Sequence, residues 1–221
     1  NCASVHGTLY HNSTGVHTGA GGGSGRYNNT SGSSNTAAGT KALFSNTTGS
    51  NATAIGYNAM YNSNNTLTPF TNTNVAVGFQ ALNGSSTPAN NTGLNNTAVG
   101  YNPLLSNTSG GNNIAIGYQA LSTNSTGFQN TSVGSNSMLT NVIGNYNTAV
   151  GYNTGPNAGA YSNTTCIGID ATATGSNMVR IGNTFVGSIG GFQPWTNYSD
   201  GRFKENIVED VPGIKFITQL R

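Results

Sequence analysis

Apolar residues return along this chain in one short figure, repeated nine times. A polar residue is followed by Thr or Val, a small residue, an Ile or Val, a glycine and an aromatic. Three residues later comes Leu or Met, and a polar run of Asn, Ser, Thr and Gly leads into the next copy. The copies read NTAAGTKAL around Gly39, ATAIGYNAM around Gly56, NVAVGFQAL around Gly78 and NTAVGYNPL around Gly100. They continue as NIAIGYQAL around Gly117, NTSVGSNSM around Gly134 and NTAVGYNTG around Gly151, with degenerate copies TTCIGIDAT around Gly168 and MVRIGNTFV around Gly182. The glycines are 17, 22, 22, 17, 17, 17, 17 and 14 residues apart, so the period is 17. Two copies carry five extra residues, near Thr66–Phe70 and Ser85–Ala89. Length variation confined to the polar run predicts a fixed strand and a surface turn.

The figure predicts an all-β chain. β-branched residues favour strands, and the apolar positions around the glycine fit period 2 better than 3.6. Gly and β-branched residues are also poor helix formers. Seventeen residues are too few for a strand, a helix and their turns, but they suit one coil of a β-solenoid. Coils stacked at the strand spacing of about 4.8 Å would make nine coils roughly 40 Å long. Neighbouring coils would supply the stability, with ladders of Asn and Thr at equivalent positions. Alternation places Ile55, Val77, Val99, Ile116, Val133, Val150, Ile167 and Ile181 on one face with the aromatics Tyr57, Phe79, Tyr101, Tyr118 and Tyr152. This aliphatic column is expected to be the core. The opposite face, Ala and Gly, is where a second backbone can approach closely.

Composition narrows the function. Hydrophobic residues make up 34% and charged residues 5% of the 221, with a net charge of +2. Disorder normally pairs low hydrophobicity with high net charge. Nucleic-acid binding needs clustered Lys and Arg, whereas residues 1–198 hold only Arg26, Lys41 and Arg180 as cations. No run of 18 apolar residues is present to span a membrane. Residues 1–198 contain a single carboxylate, Asp170, which argues against a glycosidase, since that chemistry takes a pair.

The repeats resemble those of trimeric autotransporter adhesin heads, and more closely the repeats that precede endosialidase-type intramolecular chaperone domains. The resemblance runs from about Ser33 to Gly182. It implies a left-handed parallel β-roll, three chains about one axis and a fibrous surface role. The period of 17 is longer than in the adhesin heads. Near Tyr198 the composition switches, with eight charged residues in 199–221 against four before. The segment Ser199-Asp200-Gly201-Arg202-Phe203-Lys204-Glu205-Asn206-Ile207 resembles the S-D-x-R-x-K-E-N-I opening of that chaperone domain, and Val211–Leu220 would be a short helix. The resemblance implies that Ser199 is the nucleophile of a self-cleavage and Lys204 its base. Such a pair needs a desolvated, neutral amine. Residues 199–221 are only the entry of a chaperone domain, so cleavage is expected of the complete domain alone.

Other chemistry weighs little. His6, His11 and His17 contain no HxH pair, and read as surface residues of an N-terminal arm rather than a metal site. Gly19–Gly25 lacks the Lys-Ser/Thr ending of a phosphate loop. Cys166 sits where other repeats have Ala and reads as a small buried residue. Cys2 carries no reading, and two distant cysteines are no disulfide framework. Sequons at Asn46, Asn51, Asn107, Asn124 and Asn163 follow from composition. No cofactor or metal is expected.

The expected organisation is an N-terminal arm or irregular first coils (1–32), a solenoid (33–184), a joint (185–198) holding Pro194 and Trp195, and the start of a chaperone domain (199–221). The expected role is non-enzymatic: a trimeric fibre or stalk of an extracellular surface adhesin or filamentous appendage. The alternative is a phage or viral tail-fibre segment binding a host surface glycan. The fibre would meet its receptor through the inserted turns at Asn64–Thr71 and Asn83–Gly93, and for the alternative, exposed Tyr, Asn and Thr suit sugar contact. An ice-binding Thr array is set aside, because Thr53, Thr97, Thr131 and Thr148 are interrupted by Val75 and Ile114 and share the parity expected to face the core.

Overall fold

The computed structural model describes residues 28–189, together with the strands Cys2–Ala3 and Gly19–Gly21. It is a parallel β-solenoid. Eleven short strands, one per coil, form a single parallel sheet in chain order. They are Cys2–Ala3, Gly19–Gly21, Thr36–Ala38, Thr53–Ile55, Val75–Val77, Thr97–Val99, Ile114–Ile116, Thr131–Val133, Thr148–Val150, Thr165–Ile167 and Val179–Ile181. Register follows the repeat: Ala54 pairs with Ala76, then come Ala98, Ala115, Ser132, Ala149, Cys166 and Arg180. Helical structure among the described residues is confined to a single 3-10 turn, Pro88–Asn90. The chain divides into two compact units, Asn1–Val186 and Gly187–Arg221. The solenoid belongs to the first.

Each corner is made by left-handed backbone. The repeat glycines from Gly39 to Gly182 all have positive φ, from +71° to +141°. The second residue after each glycine from Gly39 to Gly168 is also left-handed, as at Asn58 (φ 54°) and Gln119 (φ 52°). More unusually, so is the fourth: Leu43, Met60, Leu82, Leu104, Leu121 and Met138 have φ between 49° and 55°. Left-handed backbone costs an ordinary residue about 1–2 kcal/mol. Burial of these side chains, all at most 8% exposed, offsets that with about 1.5–3 kcal/mol each. A coil-to-coil hydrogen bond also holds each corner, as from Leu121 N–H to the Ser137 carbonyl at 2.9 Å.

The core reverses the expected parity. The alanine column points inward and is fully buried at Ala54, Ala76, Ala98, Ala115 and Ala149. The column expected to be the core, Ile55, Val77, Val99, Ile116, Val133, Val150, Ile167 and Ile181, faces outward: Ile55, Ile116 and Val150 are 40% exposed. The reason is width. Leu or Met at the fourth position and Ala at the third, such as Ala59, Ala81 and Ala120, already fill the thin interior. Only a small residue fits opposite them.

Asparagine completes the interior. Asn113 and Asn130 are fully buried. Asn113 Nδ2 donates to the Asn96 Oδ1 at 3.1 Å and to the Gly127 carbonyl at 2.8 Å. Its Oδ1 accepts from Asn130 N–H and Nδ2. Thus each ladder amide satisfies both its neighbours and the turn glycine. Five sequons divide accordingly: Asn46, Asn107 and Asn124 are interior ladder members, while Asn51 and Asn163 are exposed.

Candidate interaction surface

Because the strand parity is inverted, the outer face of the main sheet carries three columns. The third residue before each glycine is Thr or an aliphatic (Thr97, Ile114, Thr131, Thr148), the residue before it is Ile or Val, and the residue after it is aromatic. Ile114 is 41% and Ile116 40% exposed, and the strip continues through Ile167 at 42%. Its polar content is confined to threonine hydroxyls and a few tyrosine hydroxyls. Scattered surface apolar residues are ordinary, but a contiguous strip marks an interaction site. The threonines therefore face outward, not inward as expected, yet Val75, Ile114 and Val179 interrupt them and the face remains mainly aliphatic.

The aromatic column is a stacked ladder. Ring centroids lie 5.2 Å apart for Tyr57–Phe79, 4.8 Å for Phe79–Tyr101 and 5.3 Å for Tyr101–Tyr118, with planes within 15°. Stacking at the coil spacing covers the ring faces and leaves edges and hydroxyls outward. A sugar normally packs on a ring face, so this ladder is a poor glycan platform along its length. It ends at Ser135, where the aromatic is missing.

The inserted turns break the uniformity. In the Gly56 coil the insertion projects Leu67, 83% exposed, and returns through Phe70–Thr71, which pairs in parallel with Gly49–Ser50. In the Gly78 coil it forms the Pro88–Asn90 turn. Ser85 N–H and Oγ both bond the Asn91 side chain, which fastens that turn to its own base. These are surface turns on a fixed strand frame.

Chemical groups are sparse. Among the described residues no cluster of His, Cys, Asp or Glu could hold a metal ion, and no helix is long and apolar enough to cross a membrane. Cys166 is fully buried in the alanine column, and burial pushes its thiol up. A groove of ≈ 150 Å³ runs beside Gly155, which replaces the column leucine, between Met138 and Thr172. Asn136, whose buried Oδ1 is unbonded, lines it, and Asn58 and Asn102 at the same repeat position carry the same unbonded oxygen. Ser199 and Lys204, the helix expected at Val211–Leu220, residues 190–198 of the joint with Trp195, and Cys2, His6, His11 and His17 as side chains lie outside the described residues. The repeat glycines from Gly39 to Gly168 form a column against which the next coil's backbone packs, and Gly182 at its end lies against the Val186 side chain. The inward alanines and left-handed leucines were missed by sequence reasoning, although the strict smallness at the alanine position was a usable signal.

No protein-family model, curated protein or solved structure matches the chain.

Proposed function

We propose that the chain is a structural fibre or stalk segment of an extracellular surface adhesin or filamentous appendage, working as a coaxial homotrimer. The observation that supports it is the outward aliphatic strip of the main sheet. An ordered chain leaves Ile114, Ile116, Val150 and Ile167 in water along one continuous face. Three such faces turned to a common axis would bury that strip and give a rod whose cross-section does not change along its length. The sequence resemblance of 199–221 to an intramolecular chaperone opening fits assembly as a trimer, with Ser199 and Lys204 acting in cleavage once the domain is complete. Receptor contact is assigned to the inserted turns, because stacking covers the ring faces along the ladder between Tyr57 and Tyr118. Whether the receptor is a glycan on a host surface, as for a tail fibre, rests on the same turns.

Native mass spectrometry tests the assembly. The wild-type chain should run at three times its 22.5 kDa mass. Ile116→Asp, an outward position, should yield a folded monomer with an unchanged far-ultraviolet spectrum. Asn157→Asp, away from the strip, should stay trimeric. A wild-type monomer would overturn the reading and leave a single-chain solenoid with an exposed Thr/Val face.

A further inference from the structure

The second interior asparagine column lies seven residues after the repeat glycine: Asn46, Asn107, Asn124 and Asn141. Each Nδ2 donates to a carbonyl three residues on, at 2.8–3.1 Å. In a regular rung it also donates to the preceding asparagine's Oδ1: Asn46 to Asn29 (3.2 Å), Asn124 to Asn107 (2.8 Å) and Asn141 to Asn124 (3.0 Å). The two coils with inserted turns carry Ser63 and Ser85 instead. The ladder is cut there, and its cut ends are visible. Asn46 Oδ1 is buried with no donor, and Ser63 Oγ is buried with no partner at all. Asn107 keeps its bond to Gly110 but finds no acceptor in the preceding coil.

Ser63 and Asn107 line one partly open pocket of ≈ 20 Å³, together with Asn74, Asn91 and the apolar Met60 and Leu82. Ser63 is only 8% exposed. A cavity needs about 10–15 Å³ to admit one water, which then seeks two to four polar partners. This one has room for one water. Its lining is uncharged, which disfavours an ion. A buried, unbonded hydroxyl on the wall of such a space calls for a partner, and a water is one the space can admit.

We propose that one internal water occupies this cavity, hydrogen-bonded to Ser63 Oγ, and stands in for the missing ladder amide beneath the two inserted turns. Asn74 bonds Gly93 and Asn91 bonds Ser85, so the water's polar neighbours are the roots of those turns. The water thereby joins the turns to the spine. This inference is independent of the trimer.

The test combines thermal melting with a high-resolution crystal structure. If Ser63 holds a water, Ser63→Ala strands it and lowers Tm by about 2–4 °C. If the cavity is dry, the same change removes an unsatisfied hydroxyl and leaves Tm unchanged or higher, which overturns the proposal. In the crystal, wild-type density should show a peak about 2.6–3.2 Å from Ser63 Oγ. Ser63→Asn should displace it. An empty cavity, or a peak with the short, many-fold coordination of a cation, would also overturn it.

Discussion

A β-carbon on Gly117 would lie 2.5 Å from the carbonyl oxygen of Gly134 in the next coil. The same relation recurs up the glycine column, where each residue also sits at a φ that only glycine adopts without strain. Gly117→Ala therefore meets both a backbone wall and a forbidden dihedral. It should cost more than about 4 kcal/mol, seen as a Tm lower by at least about 8 °C. Gly175→Ala, whose β-carbon would make only an ordinary contact with Met178 Sδ at 3.5 Å, is the control and should melt with wild type. Equal melting of the two variants would contradict this account of the column.

Asn113→Ala tests the ladder. It removes four side-chain hydrogen bonds and leaves the Asn130 N–H buried without a partner, while the Gly127 carbonyl keeps only its bond from Asn124 Nδ2. The expected loss is about 2–4 kcal/mol in denaturant unfolding. Asn157→Ala, exposed and without a side-chain hydrogen bond, should stay within about 0.5 kcal/mol. If both behave alike, the interior amides are not what holds the coils.

Cys166 gives a chemical probe of burial. Its side chain is fully enclosed and desolvation raises the thiol pKa, so at pH 8 less thiolate forms than on a free cysteine. Alkylation mapped by peptide mass spectrometry should leave Cys166 unmodified in the native protein and modify it in guanidinium. Cys166→Ala, which restores the column residue, should change stability by under about 1.5 kcal/mol. Rapid native alkylation would show that the alanine column opens.

Much of this fold was legible in the chain. Each coil repeats the same residue types at the same offsets, so the 17-residue period, the glycine column, the polar ladders and the surface position of Leu67 all follow from spacing. What spacing does not carry is sign. Alternation says that Ile116 and Ala115 face opposite ways, not which one faces in. Bulk and hydrophobicity favour Ile116, and the interior took Ala115, because Leu121 from the far corner already fills the space. Leu121 itself sits in a left-handed conformation that no propensity assigns to leucine. Both features belong to the closed coil, where one corner's side chain sets the room left to the opposite strand. At the end of the sheet that constraint lapses: Arg180 takes the alanine column's last position and is exposed.

The coil-to-coil hydrogen bonds lie along the stacking direction, some donated forward, as from Leu121 N–H to the Ser137 carbonyl, and some back, as from Gln119 N–H to the Tyr101 carbonyl. A pull on the chain along that direction loads them one coil at a time, as in opening a zip, rather than sharing the force across the sheet. Val179–Ile181, exposed along its whole length, is where such a peel begins most readily. Each 17-residue coil released would lengthen the chain by roughly 51–56 Å, from about 3.3–3.6 Å per residue less the coil's own rise of about 4.8 Å. Under load such a stack would pay out slack coil by coil, in steps of 14, 17 or 22 residues.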